Sequence, residues 1–287
     1  MVTIKLNKML YDFPFNNVLP ETELAVKAVK EAGNTVMKIY KQDFHTTFKK
    51  DNEPLTAADL KSNKIIEKII SNTGYPILSE ESLDDKKRLD YDKIWIVDPL
   101  DGTSDFVSKS DEFTIMIALV DKHEPILGVI YWPTNDILYV AQKGGGSHRF
   151  VGGIWEKLVI SKRSELGNCR ALGSRHHLSS HEVNFLKQLN VEKFSERGSS
   201  LKVTDICSGT AELYFTLTNK IKQWDTCASN CLIIEAGGKM TDMLGNKLEY
   251  NTGNIYHKNG ILVTNSVIHD IITRKYAEFS RKMKNGN

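Results

Sequence analysis

The apolar residues of this chain change their period near Gly74, and that change limits the fold more than any other feature. From about Glu21 to Tyr40, Ala25, Ala28, Val29, Ala32, Val36 and Tyr40 recur at three- and four-residue spacing, which predicts a helix with one buried stripe. A polar loop, Lys41 to Leu55 with the breaker Pro54, leads to a second expected helix from Thr56 to about Asn72. Its inward residues are Leu60, Ile65, Ile66, Ile69 and Ile70, and Gly74 is the stop signal. Beyond it the pattern is short apolar blocks divided by turn residues. Pro76 to Ser79, Lys93 to Val97 (halted by Asp98-Pro99), Phe113 to Val120, Ile126 to Trp132 and Ile137 to Ala141 predict a meandering sheet. The Gly144-Gly145-Gly146 run reads as a turn, since no Gly-Lys-Ser/Thr follows it.

The second half returns to alternation. Strands are expected at Arg170 to Gly173, Leu213 to Thr216 and Gly260 to Thr264. Helices are expected at about Ser180 to Leu189, Ser199 to Gly209 and Trp224 to Ala236, with a last one from Ser266 into a basic tail. Without a repeat or a linker, two packed subdomains are expected, 1–150 and 151–287. Lys and Arg number 38 against 36 Asp and Glu, and a net charge of +2 gives no footing for nucleic-acid binding. An apolar fraction of 40% excludes dominant disorder. The longest apolar run, Ile115 to Val120, is far short of the ~20 residues that span a bilayer. Cys169, Cys207, Cys227 and Cys231 form neither C-x-x-C nor a disulfide framework, and the N-terminus lacks a signal-peptide core. A reduced, soluble, cytoplasmic protein with no membrane partner is expected.

Asp98-Pro-Leu-Asp-Gly-Thr103 is the most informative segment. It sets two carboxylates at the end of a buried strand, on a turn forced by Pro99 and Gly102. Such aspartates either cap turns or hold a hard cation such as Mg²⁺, and both readings stand on this segment alone. Ser79-Glu-Glu81 ends another strand, Trp224-Asp225-Thr226 opens a helix, and Thr56-Ala-Ala-Asp59 fits a capping box. Capping explains each separately but not so many acidic element ends in one chain.

These segments, with Lys50-Asp51-x-Glu53-Pro54 before Leu55 and Thr56, resemble the four motifs of the inositol monophosphatase superfamily of magnesium-dependent, lithium-sensitive phosphatases. Within it, Ser174-Arg175-His176-His177 and Gly198-Ser199-Ser200-Leu201-Lys202 are most similar to the 3'(2'),5'-bisphosphate nucleotidases. The resemblance implies a layered αβαβα sandwich of α+β or α/β class. It also implies release of one phosphate from adenosine 3'(2'),5'-bisphosphate, with a place in sulfur metabolism. Glu80, Asp98, Asp101 and Asp225 and the Leu100 carbonyl would hold about two or three Mg²⁺ ions. Asp59 and Thr103 would orient and deprotonate the attacking water. Gly102, Thr103, Ser174, His177, Gly198 and Lys202 would contact the small-molecule substrate. Ser104-Asp105 stands where the resembled nucleotidases usually carry Lys-Glu, which removes a positive charge near the phosphate. The cysteines are expected to be packing residues, His181 solvated, and the chain a monomer or at most a weak dimer. The alternatives are an inositol mono- or polyphosphate phosphatase and a non-catalytic, metal-dependent nucleotide-binding protein.

Overall fold

The computed structural model describes residues 11–49 and 54–285; Lys50, Asp51 and Glu53 lie outside them. The chain runs α1 (Pro20–Tyr40), β1 (Thr46–Phe48), β2 (Pro54–Thr56), α2 (Ala57–Ile70), β3 (Ile77–Ser79), β4 (Lys93–Asp101) and the short α3 (Thr103–Val107). Then come β5 (Thr114–Asp121), β6 (Glu124–Trp132), β7 (Ile137–Gln142), β8 (Gly146–Val151) and β9 (Ile154–Lys157). The remainder is β10 (Arg170–Ser174), α4 (Ser180–Leu189), β11 (Lys193–Arg197), α5 (Leu201–Cys207), β12 (Leu213–Thr216), α6 (Gln223–Glu235), β13 (Lys239–Thr241), β14 (Ile261–Thr264) and α7 (His269–Asn285).

Strands β3 to β9 form one seven-stranded sheet in sequence order, with only β3–β4 parallel; β3 to β7 are the expected meander, and β8 and β9 extend it beyond the expectation. The second sheet is five-stranded in the order β11-β10-β12-β14-β13. Side chains alternate across β4, so Trp95 and Val97 join α1 and α2 on one face while Ile94 and Ile96 face the other way. That second face packs on α5 and α6 through Ile206, Cys227, Cys231 and Leu232, and the same helices meet Met240, Ile261 and Val263 of the second sheet. Phe185 of α4 and Ile272 and Phe279 of α7 cover the outer face. The layers are therefore helix, sheet, helix, sheet, helix. Helix α6 is buried on nearly every side because it lies between two sheets.

Several expectations are corrected. Strand β4 does not stop at Asp98-Pro99 but continues to Asp101, with a register shift against β5 between Asp98 and Asp101. The neighbouring β3 ends opposite Val97, and the missing N–H of Pro99 falls where the ladder is already broken. The Lys41 to Leu55 segment is not all loop, because β1 and β2 pair antiparallel within it. Leu60 is exposed, since the buried stripe of α2 runs through Ala58, Ser62, Ile66 and Ile69 and leaves it to one side. Helix α2 ends at Ile70, followed by a tighter turn to Thr73, and the expected 199–209 and 266-onward helices shorten to α5 and α7. No helix of the described residues is long and apolar enough to cross a membrane.

Candidate active site

Strand β4 delivers the Asp98–Asp101 turn to the junction of the two sheets. The Asp98 Oδ1 accepts from the Leu100 N–H at 3.1 Å, and Ser62 of α2 donates to the Pro99 carbonyl at 2.6 Å, so the turn is braced from within and behind. Asp101 Oδ2 accepts from the Ser200 N–H and from Thr114 Oγ1, the latter at 3.3 Å, and Thr114 and Ser200 hydroxyls lie 2.7 Å apart. Glu80 follows β3, which parallel pairing with β4 places alongside. Asp225 sits in the first turn of α6, where its Oδ2 accepts from the Lys222 N–H at 2.7 Å.

Glu80, Asp98, Leu100, Asp101, Thr103 and Asp225 all line one cavity of about 900 Å³. That volume is of the size that holds small-molecule ligands. Burial, then the charges of Glu80, Asp101 and Asp225, pushes the Asp98 carboxyl well above the usual range. Burial and the Glu80 charge do the same to Asp225. Asp101 is raised by burial, against which the Lys202 charge works. A set of hard oxygens that disfavour their own ionisation is the donor chemistry suited to divalent Mg²⁺. The set is not closed as a cage: among the described residues, no three His, Cys, Asp or Glu groups surround a single point. Instead Lys49 Nζ lies 2.8 Å from Glu80 Oε1 and 2.6 Å from Glu81 Oε1. Burial works against the Lys49 charge, but these two carboxylates outweigh it and raise its pKa.

Asp59 and Thr103 are brought together. Thr103 Oγ1 lies 3.0 Å from Asp59 Oδ1 and 3.2 Å from the Leu100 carbonyl. Asp59 stands behind Thr103, fixed by the α2 capping box, in which its Oδ2 accepts from the Thr56 N–H and hydroxyl, both at 2.7 Å. Burial raises the Asp59 pKa, and those hydrogen bonds pull it back. Gly102 has a left-handed φ of 88°, and a Cβ there would come 3.0 Å from that of Ser199.

Ser174, His177 and Lys202 are on the cavity wall. Lys202 is buried and its ammonium donates to the Ser199 carbonyl at 2.5 Å, with burial pulling its pKa down. Gly198 is set back: its N–H donates to Glu112 Oε2 at 2.7 Å, and a Cβ would lie 2.7 Å from the Asp105 carboxylate and from the Glu112 carbonyl. Its part is to let the 198–202 segment press against the first half. His177 precedes α4 rather than opening it, and His181 is exposed. Glu112 is the group that spacing alone did not single out as a partner. It also binds Arg175 Nη2 and Arg197 Nη1, each at 2.6 Å, and so clasps the two halves together beside the cavity.

A family model described as the inositol monophosphatase family matches residues 18–281. The chain belongs to this family. Among its relatives, the 3'(2'),5'-bisphosphate nucleotidase CysQ of Buchnera aphidicola subsp. Acyrthosiphon pisum is 34% identical over 232 residues, 77% of this chain and 84% of that protein. The CysQ of Escherichia coli K12 is 33% identical over 232 residues, 77% and 90% of the two chains. The crystal structure of CysQ from Bacteroides thetaiotaomicron, described as a bacterial member of the inositol monophosphatase family, matches with a TM-score of 0.75. It is 31% identical, with 86% of this chain and 97% of that one covered. A Thermotoga maritima IMPase shares the inositol monophosphatase fold at a TM-score of 0.78 and 23% identity, over 92% and 99% of the two chains.

Proposed function

We propose that this chain is a magnesium-dependent phosphomonoesterase that removes the 3'- or 2'-phosphate of adenosine 3'(2'),5'-bisphosphate, leaving AMP and phosphate. The observation that carries the reading is the Thr103–Asp59 hydrogen bond of 3.0 Å at the edge of the carboxylate cavity. The nucleotidase relatives, at 33–34% identity over 77% of the chain, supply the substrate class.

Glu80, Asp98, Asp101, Asp225 and the Leu100 carbonyl would hold the ions, whose charge favours both the attacking water's deprotonation and the departing ribose oxygen. The Thr103 hydroxyl has one proton and two acceptors, Asp59 and the Leu100 carbonyl, so an oxygen lone pair remains to accept from a water. Thr103 thereby aims the water, and the proton it loses passes through the hydroxyl to Asp59. Burial suits Asp59 to this task, because a raised carboxylate pKa makes a better base near neutral pH. The water oxygen bonds to phosphorus as the phosphorus–ribose oxygen bond breaks; the bonding pair leaves on the ribose oxygen, which takes a proton from a solvent water, and Asp59 later returns its own proton to solvent. Ser174, His177 and Lys202 would bind the rest of the nucleotide, and the four cysteines, all buried and free, take no part.

Comparison of kcat/KM for adenosine 3',5'-bisphosphate, inositol 1-phosphate and inositol 1,4-bisphosphate tests the substrate class. Preference for either inositol ester overturns it in favour of an inositol phosphatase. Asp98→Asn is expected to abolish phosphate release, and unimpaired turnover would remove Asp98 from the site.

A further inference from the structure

Glu112 lies in the loop between α3 and β5, and the chemistry above leaves its contacts unused. The loop fixes its backbone first. Lys109 and Asp111 hold left-handed φ values of 59° and 65°, which residues other than glycine adopt only where the surroundings impose them. Here the Asp111 carbonyl accepts from Trp132 Nε1 at 2.7 Å and from Thr134 Oγ1 at 2.8 Å. Asp111 Oδ1 accepts from the Tyr40 hydroxyl at 2.8 Å. The Lys109 ammonium lies over the Tyr40 and Phe44 rings, 4.2 and 4.5 Å from their centroids.

From this loop Glu112 meets the second half in two distinct ways. Its ion pairs reach the ends of two long arginine side chains, which can follow a carboxylate that moves. The Gly198 N–H cannot, because it belongs to a backbone pressed on the Glu112 carbonyl. A Cβ on Gly198 would lie 2.7 Å from that carbonyl, and one on Gly102 would lie 3.3 Å from it. Two residues further along both segments, the Thr114 and Ser200 hydroxyls form a second rung at 2.7 Å. Ser199, between the rungs, has a left-handed φ of 48°, so it has little freedom to absorb a shift at Gly198. At the second rung the Ser200 N–H and the Thr114 hydroxyl both donate to Asp101 Oδ2. That leaves Asp101 Oδ1 for a cation.

We propose that Glu112 is a positioning residue for the metal centre: through Gly198 and Ser200 it aims Asp101, so that Mg²⁺ affinity depends on how the second half docks. This rests on the magnesium reading above. Calorimetric titration of Mg²⁺ into the full chain, without nucleotide, reads the affinity, and urea unfolding reads the clasp. Glu112→Asp keeps the charge but draws the carboxylate back by one methylene, out of reach of the Gly198 N–H. Its Mg²⁺ Kd should rise about tenfold, the low end for losing a group behind a metal ligand, with little change in the urea midpoint. Arg197→Met should do the reverse, lowering the midpoint and leaving the Kd as in wild type. Beside Asp101→Asn, Glu112→Asp should cause no further rise, because its route is already cut. Three results would overturn the assignment. They are an unchanged Kd in Glu112→Asp, a full rise persisting beside Asp101→Asn, and a loss of midpoint or of Mg²⁺ affinity shared equally by Glu112→Asp and Arg197→Met. Wild type that binds no Mg²⁺ would remove the metal reading itself, a result distinct from a wild type and a Glu112→Asp variant that bind equally well.

Discussion

The dyad allows the chemistry to be separated from the packing. Thr103→Val keeps the shape of the side chain and removes the only proton it can place between Asp59 and the Leu100 carbonyl. Asp59 retains its two bonds to Thr56, so the α2 cap survives and the loss of folding stability should be that of one hydrogen bond, about 0.5–1.5 kcal/mol. The loss in kcat should be far larger. A positioned proton-transfer group contributes roughly 10²- to 10⁴-fold, about 3–5 kcal/mol of barrier. Asp59→Asn should produce a loss of similar size, and the double variant should lose no more than the worse single, since the two groups act as a unit. Thr103→Ser restores the hydroxyl and should recover most of the rate. Phosphate release at saturating Mg²⁺ and nucleotide, alongside urea unfolding of each variant, reads all of this. A kcat for Thr103→Val within about threefold of wild type, or additive losses in the double variant, refutes the dyad.

Gly198→Ala would force a Cβ to within 2.7 Å of the Asp105 carboxylate and the Glu112 carbonyl, so a destabilisation of about 1–3 kcal/mol is expected in urea, and an unshifted midpoint would contradict the tight approach. Burial pulls the His269 imidazole, held between Thr241 and Thr264, from the usual 6.5 down to about 4. Its native pKa lies below its unfolded one, so the stability it protects is complete above about pH 6.5 and is lost as pH falls through 4. A displacement of that size is worth on the order of 3 kcal/mol. His269→Gln should flatten the pH dependence of unfolding free energy in that window; an unaltered slope would argue against it. Burial also raises the thiol pKa values, that of Cys169 to about 11 and those of Cys207, Cys227 and Cys231 further. Ellman's reagent at pH 8 should therefore find native thiols slow and four reactive ones after unfolding, and a rapid native burst would refute this.

Periodicity located the elements whose environment is uniform along their length. The limits expected for α4 and β12 are those observed, and the stripe of α1 is buried at every named residue. It missed β11, Lys193-Phe-Ser-Glu-Arg197, because an edge strand with charges at alternate exposures carries no clean alternation. It missed β13, of three residues, because its partner β14 and not its own pattern holds it extended. The carboxylates were legible because they are packed into short motifs at element ends. Their supports were not: Lys49 reaches Glu80 across 31 residues, Glu112 reaches Gly198 across 86 and Asp101 reaches Ser200 across 99. The last two pairings arise from the docking of two sheets on α5 and α6, which no local spacing encodes.

The cavity also ties metal occupancy to the survival of the fold. Glu80 just after β3, Asp98 and Asp101 of β4 and Asp225 of α6 are held with their charges close to one another, and the repulsion weighs on the native state but is relieved when the chain unfolds and the groups separate. A divalent cation that binds only the native arrangement stabilises it by RT ln(1 + [L]/Kd), about 2.7 kcal/mol at one hundred times Kd. The melting temperature should then climb with Mg²⁺ concentration even without a substrate, and return on chelation. Cellular lifetime of this chain, and not its turnover alone, would follow the supply of free magnesium.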